Sequence, residues 1–254
     1  MSIVRRLLVA GCIALALPAL VRAATNPVVA AAKRTASAKS LTFQMAITTS
    51  IPGQGRFTMT GSGAQRGTSV RLSMRTRAQG AAIRMDAVLL RESGGYVMYM
   101  RSPAFRAQLP PRKSWIRVDL SKQASGLGVD FTSLLGASQT FAPLEKGLVS
   151  TTRVGRDVVA GRSTAHYRAV IDIKRAARAV PDYGRQVAAL ERATGIRLGR
   201  VPYDVWIAGD GRVHRVRFSM PTVGGGRSVQ TMTFLSFDTP VTIKAPPRAQ
   251  VVNA

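Results

Sequence analysis

Leu41-Thr42-Phe43-Gln44-Met45-Ala46-Ile47-Thr48 sets large apolar residues at odd positions and smaller or polar ones at even positions. A period of two puts Leu41, Phe43, Met45 and Ile47 on one face of a half-buried strand. Pro52-Gly53-Gln54-Gly55 is turn chemistry, and Phe57 and Met59 open a second strand. Val70, Leu72 and Met74 alternate with Arg71, Ser73 and Arg75 in a third, and Ile83, Met85, Ala87 and Leu89 mark a fourth. Gly94-Gly95 turns the chain into a fifth strand, Tyr96 to Arg101. Successive strands with short turns describe an antiparallel meander.

The flanks read differently. Asn26-Pro27 is an N-cap followed by a first-turn proline, and the alanine-rich run to about Ser40 continues as one helix. Pro103 to Lys113 is a proline-punctuated loop, Trp115 to Leu120 a short strand, and Ser121 to Gly147 one or two brief helices under loops. Strands resume at Thr151–Val159 and Ser163–Ile173. Lys174 to Thr194 is a basic helical segment, interrupted near Pro181 and closed by Gly195. Three strands follow, at Val201–Ala208, Arg212–Met220 and Ser228–Phe237, the first two joined by the hairpin signal Gly209-Asp210-Gly211. The tail from Pro240, with Pro246-Pro247, is expected to lie extended along an edge. About ten or eleven antiparallel strands with a few helices give an α+β fold. So wide a sheet must curl, close or be covered.

At the front, Arg5 and Arg6 precede an apolar run of 15 residues, Leu7 to Val21, interrupted by Pro18 and followed by Val21-Arg22-Ala23. That is the form of an export signal over residues 1–23, with a single domain from 24 to 254. A membrane-spanning helix needs roughly 20 apolar residues. Cys12, the one cysteine, lies inside this segment, so a mature chain cut after Ala23 or Ala24 has no disulfide chemistry. Its roughly 230 residues can bury a core without such staples. Loss of Arg5, Arg6 and Arg22 takes the formal charge from +25 to about +22. A balance this basic attracts anionic surfaces, yet the arginines are scattered, and no basic arm or aromatic-basic platform for nucleic acid is visible. Nucleic acid is not an expected partner.

Eight methionines follow Met1, all in predicted strands: Met45, Met59, Met74, Met85, Met98, Met100, Met220 and Met232. Methionine fills irregular space and tolerates variable shapes. One reading is a loosely specified core. The other is a deformable apolar cavity with Leu41, Phe43, Met45, Ile47, Met59, Leu72, Met74, Ile83, Met85 and Met98 as candidate lining. Conventional catalytic chemistry is hard to find. His166 and His214 read as surface or hydrogen-bonded strand residues. Twelve scattered acids offer no metal-ligand spacing, and no Gly-x-Ser-x-Gly elbow or phosphate loop occurs. The expectation is no catalysis, no metal and no cofactor.

Four short motifs, in order, resemble a known family. Trp115-Ile116-Arg117-Val118-Asp119-Leu120 is similar to its W-x-x-V-D-L step. Val154-Gly155, Val159-Ala160-Gly161 and Thr164-Ala165-His166-Tyr167 resemble a V-G…V-x-G-x-x-T-x-H-Y hairpin. Val205-Trp206-Ile207 with Gly209-Asp210-Gly211 resembles another, and Phe237-Asp238-Thr239-Pro240 with Pro246-Pro247 the closing segment. The family is that of the envelope lipoproteins LppX, LprA, LprF and LprG. The resemblance implies a LolA-like half-barrel, a curved sheet wrapped around helices, whose cavity is lined by the inward residues of the first five strands. It implies a lipid or lipidated molecule as partner, and transport in the periplasmic or other extracytoplasmic space. Contact with the membrane surface would be transient or tethered, and the protein a monomer. Relatives are lipidated at a cysteine ending the signal; here only Cys12 is of that type, and Val9-Ala10-Gly11-Cys12 fits a lipidation box in residue type. Just five residues separate Arg6 from Cys12, however, short of the roughly 7–15 of an apolar signal core. Cleavage after Ala23 or Ala24, a lipid anchor on Cys12 and an uncleaved N-terminal anchor are thus the alternatives. Two other functions fit the same residues: an envelope sensor or binding module of this fold, and a structural protein holding anionic envelope polymers.

Overall fold

The computed structural model describes residues 25–78, 81–92, 95–120 and 137–253. The expected signal with Cys12, Gly94 of the expected turn, and residues 121–136 of the expected helical loop lie outside these. The described chain forms one open, curved, mostly antiparallel sheet of twelve strands with helices on one face.

A first meander runs β1 (Ser40–Ile51), β2 (Gly55–Arg66), β3 (Ser69–Ala78), β4 (Ala81–Glu92), β5 (Gly95–Arg101) and β6 (Trp115–Asp119). A second runs β7 (Leu148–Val159), β8 (Arg162–Asp172), β9 (Arg200–Ala208), β10 (Val213–Thr222) and β11 (Gly226–Phe237). The two are stitched by β1 against β11, with Phe43 opposite Phe234 and Met45 opposite Met232. Thr42 and Ser236 hydroxyls share a hydrogen bond of 2.7 Å across that seam. The twelfth strand, β12 (Val251–Asn253), pairs in parallel with β6 and forms the sheet edge. It exceeds the expected ten or eleven strands because three residues carry no readable periodicity; only the neighbouring edge makes them a strand. The loop Pro103–Lys113 also holds a 3-10 helix, Pro103–Gln108, capped by the Ser102 hydroxyl.

The helices begin and end where their residues require. In α1 (Pro27–Ala36) the Asn26 side chain accepts from the Val28 amide at 3.0 Å and Pro27 occupies the first turn. The second helix is α2 (Ala137–Lys146). The basic segment divides into α3 (Ile173–Ala179) and α4 (Pro181–Thr194), because a proline has no N–H to continue the ladder. Gly195 ends α4 in the left-handed region (φ 70°), its amide bonded to the Glu191 carbonyl.

Helix α1 is locked to the sheet by Thr35. Its buried hydroxyl donates to the Ala31 carbonyl at 2.7 Å and accepts from the Val213 amide at 2.9 Å. The main core lies between helices and sheet. Val28, Ala31, Phe141 and Leu144 from α1 and α2 meet Leu41, Ile171, Val205, Val213 and Phe234 from the strands. Full burial of each large side chain contributes about 1.5–3 kcal/mol.

The residues shared with the lipoprotein motifs brace the opposite face. Trp206 Nε1 donates to Asp157 at 3.1 Å, and the Thr164 hydroxyl donates to the Asp157 carbonyl at 2.9 Å. The His166 ring lies on Trp206 with centroids 4.4 Å apart and bonds Asp204 at 3.0 Å. Ala160 and Gly161 both take positive φ (49° and 77°), the backbone of a two-residue hairpin turn. These motifs therefore knit β7, β8 and β9 together. His214 is buried, with its Nε2 3.2 Å from Asp210 and its ring edge-on to Phe237.

Candidate functional site

Residues directly opposite each other in an antiparallel pair project from the same face, so the register decides what the inner, helix-bearing face is made of. Met45 faces Gly61, Gly61 faces Met74, and Met74 faces Met85. Ile47 faces Met59, Met59 faces Thr76, and Thr76 faces Ile83. Phe43, Gly63, Leu72, Ala87 and Met100 form a further row, and Leu41, Gln65, Val70, Leu89 and Met98 another. Met232 lies opposite Met45, and Met220 reaches the same face through Ser228 and Thr49. All eight methionines after Met1 thus share the inner face, as do all ten residues proposed as cavity lining.

The ten do not share one environment. Leu41, Phe43 and Leu72 are buried in the helix-covered core. Met98, 3% exposed, packs with Val70 and Leu89 in a separate cluster. Met45, Ile47, Met59, Met74 and Met85 are half-buried, and Ile83 is 52% exposed. Those six are contiguous across β1 to β4. Met232, Phe218 and Met220, half-buried, extend the same surface over β11 and β10. From β4 to β10 there are five strand spacings, so the trough is about 24 Å wide. The residue list drawn from the first five strands missed this extension, because the β1–β11 pairing joins segments almost 200 residues apart.

Two glycines give the trough its depth. A Cβ on Gly61 would stand 3.2 Å from Met45 Cγ and 3.3 Å from Met74 Cγ, and one on Gly63 only 2.5 Å from Phe43 Cζ. Bare backbone on β2 lets the neighbouring side chains lie over it. At the far wall Tyr203 stacks on Phe218 with centroids 4.6 Å apart. Burial drives the Tyr203 phenol strongly up, and pushes Tyr183 on α4 up to about 12. The trough itself is uncharged. The alternation that turns methionine inward turns Arg71, Arg75, Arg77 and Arg84 to the outer face. By the same register Arg56, opposite Ser50, also projects to the outer face. Among the described residues, no group of three or more His, Cys, Asp or Glu side chains could hold a metal ion, and no helix is long and apolar enough to cross a membrane.

No family model and no curated protein matches the sequence. Solved structures do match, at the level of the fold. One is LprF from Mycobacterium bovis, 16% identical, with 87% of this chain and 95% of that one covered at a TM-score of 0.51. The Mycobacterium tuberculosis lipoprotein LppX is 17% identical over 87% of this chain and 100% of that one, at 0.45. The Pseudomonas aeruginosa MucA/MucB complex is 15% identical over 89% of this chain and 60% of that one, at 0.33. The LprF match agrees with the motif resemblance at the level of the fold.

Proposed function

We propose that this protein binds the acyl chains of a lipid in the inner trough and carries that lipid outside the cytoplasmic membrane, without catalysis. The observation that carries this reading is the placement of every strand methionine on one face, with six half-buried or exposed apolar side chains contiguous over β1 to β4. Thioethers on flexible stems conform to chains of different length and unsaturation. Burial of about 0.8 kcal/mol per methylene gives affinity without any specific contact. The expected export signal and the lipoprotein-like fold both support an extracytoplasmic location. The mass of the mature N-terminus distinguishes cleavage after Ala23 or Ala24 from an anchor on Cys12.

Native mass spectrometry of protein purified from a lipid-containing host is expected to show co-purified lipid. Delipidated protein is expected to bind a fluorescent fatty acid; failure of both removes the carrier reading. A second reading, a binding module for a protein partner, draws support from β7, an edge of the sheet among the described strands, where Val149, Val154 and Val158 are exposed. A partner pulled from envelope extract that is lost on Val158→Lys would favour it.

A further inference from the structure

The outer face of the sheet also holds a cavity, covered by the chain's last segment. After β11, Asp238 accepts from the Lys39 amide and pairs with Arg212, and the Ser40 hydroxyl donates to the Thr239 carbonyl. The segment then crosses the outer face and is tied down again where the Ser114 amide donates to the Gln250 carbonyl and β12 joins β6. Part of this strap closes over apolar residues, Ile243 and Val251 packing on Val88, Tyr99 and Trp115. Beside that contact it leaves a cavity of about 510 Å³ between itself and strands β1 to β6, within the size range of small-molecule sites.

Four cations line this cavity, Arg71, Arg84, Arg101 and Lys244, against a single acid, Asp86. The acid is already saturated. Its Oδ2 accepts from Arg101 at 2.7 and 3.3 Å, and its Oδ1 from the Ser73 hydroxyl at 2.7 Å and more distantly from Arg84 at 3.4 and 3.5 Å. Arg101 is further held by lying over the Trp115 ring, 4.7 Å from its centroid. Gripped through Nε and Nη2, it keeps both Nη1 hydrogens unused, a rigid donor prepared in advance. Among the described residues, the side chains of Arg71 and Lys244 have no hydrogen-bond or ion-pair partner. One comes from the sheet and the other from the strap, so the fold converges two uncommitted cations on a pre-set guanidinium above an aromatic floor.

We infer that this cavity is a second binding site, for a phosphoryl group carried on a small organic moiety. Three or four convergent donors match the oxygens of a phosphate ester, and Trp115 and Val88 accommodate what the phosphate is attached to. The site is separate from the trough because the sheet lies between them. The phosphoryl group could belong to a soluble compound or to a phospholipid headgroup.

Calorimetry on the full chain tests this with glycerol 3-phosphate, and with phosphatidylcholine vesicles that do or do not contain phosphatidylglycerol. The expected result is saturable one-to-one binding that falls at least about tenfold in Arg71→Gln/Lys244→Gln. It should change by less than about twofold in Arg217→Gln/Arg200→Gln, exposed arginines on β10 and β9 that do not line the cavity. Binding of glycerol 3-phosphate identifies a soluble ligand; binding only to the phosphatidylglycerol vesicles, lost in the first variant, identifies a headgroup. No binding to either, or equal losses in both variants, overturns the site and reduces it to a diffusely basic surface. All four substituted residues are exposed, so circular dichroism should show both variants folded.

Discussion

Strands β8 to β11 and strands β1 to β4 belong to one sheet, yet their inner faces solve different problems. On β8 to β11 the face is Ile171, Tyr203, Val205, Val213, Val216 and Phe234, stiff or aromatic side chains closed under α1, α2 and α4. On β1 to β4, beyond Leu41, Phe43 and Leu72, it is Met45, Ile47, Met59, Met74, Ile83 and Met85, half-buried or exposed around bare glycine backbone. Branched and aromatic side chains have few rotamers and interlock into one arrangement; methionine has many and specifies none. Stability is thus concentrated in one half and adaptability in the other.

Four experiments would break or sharpen that contrast. Phe234→Ala, in the closed half, should lower stability by about 3–5 kcal/mol in urea unfolding. Met85→Leu, in the open half, should cost less than about 1.5 kcal/mol; equal losses would erase the distinction. Alkaline titration comes next. Burial raises the phenols of Tyr183 and Tyr203 in the folded state, so their contribution is complete below pH about 10, where unfolded tyrosine begins to ionise. It is lost as pH rises through the folded value, about 12 for Tyr183. For Tyr183 this amounts to on the order of 2 kcal/mol, and stability measured from pH 9 to 12 should fall, less steeply in Tyr183→Phe. A flat profile would mean that these rings are not sealed from water.

In the open half, Met59→Asp should weaken fatty-acid binding by about tenfold, since a carboxylate in the trough loses hydration without a partner. Its melting temperature should barely move. A variant that unfolds instead would show the trough to be ordinary core. The smallest effect belongs to Asn26→Ala, which removes the cap of α1 and should cost about 1 kcal/mol with fatty-acid affinity unchanged.

Much of the architecture was legible along the chain. The alternation from Leu41 onward, the cap at Asn26, the break at Pro181 and the stop at Gly195 are each decided by a residue and its near neighbours. The inward placement of the methionines was legible for the same reason, because side chains in a strand alternate with a fixed period. The candidate site was legible only in part. Nothing local distinguishes Leu41 and Phe43, buried in the core with α1 and α2, from Met45 and Ile47 a few residues on, which stay half-buried. The cavity on the outer face was not legible at all. Arg71, Arg84 and Arg101 read as isolated alternating arginines, and Lys244 as part of a proline-rich tail.

The sequence alone therefore settled the alternation of the strands around Leu41, Val70 and Ile83 and where most elements begin and end, since backbone sterics and side-chain period act over a handful of residues. Tertiary structure decided the rest: the seam of β1 with β11, the edge strand β12, the limits of the trough, and the meeting of Arg71 with Lys244. Each depends on segments far apart in the chain, whose attraction becomes favourable only once the sheet has closed the loops between them.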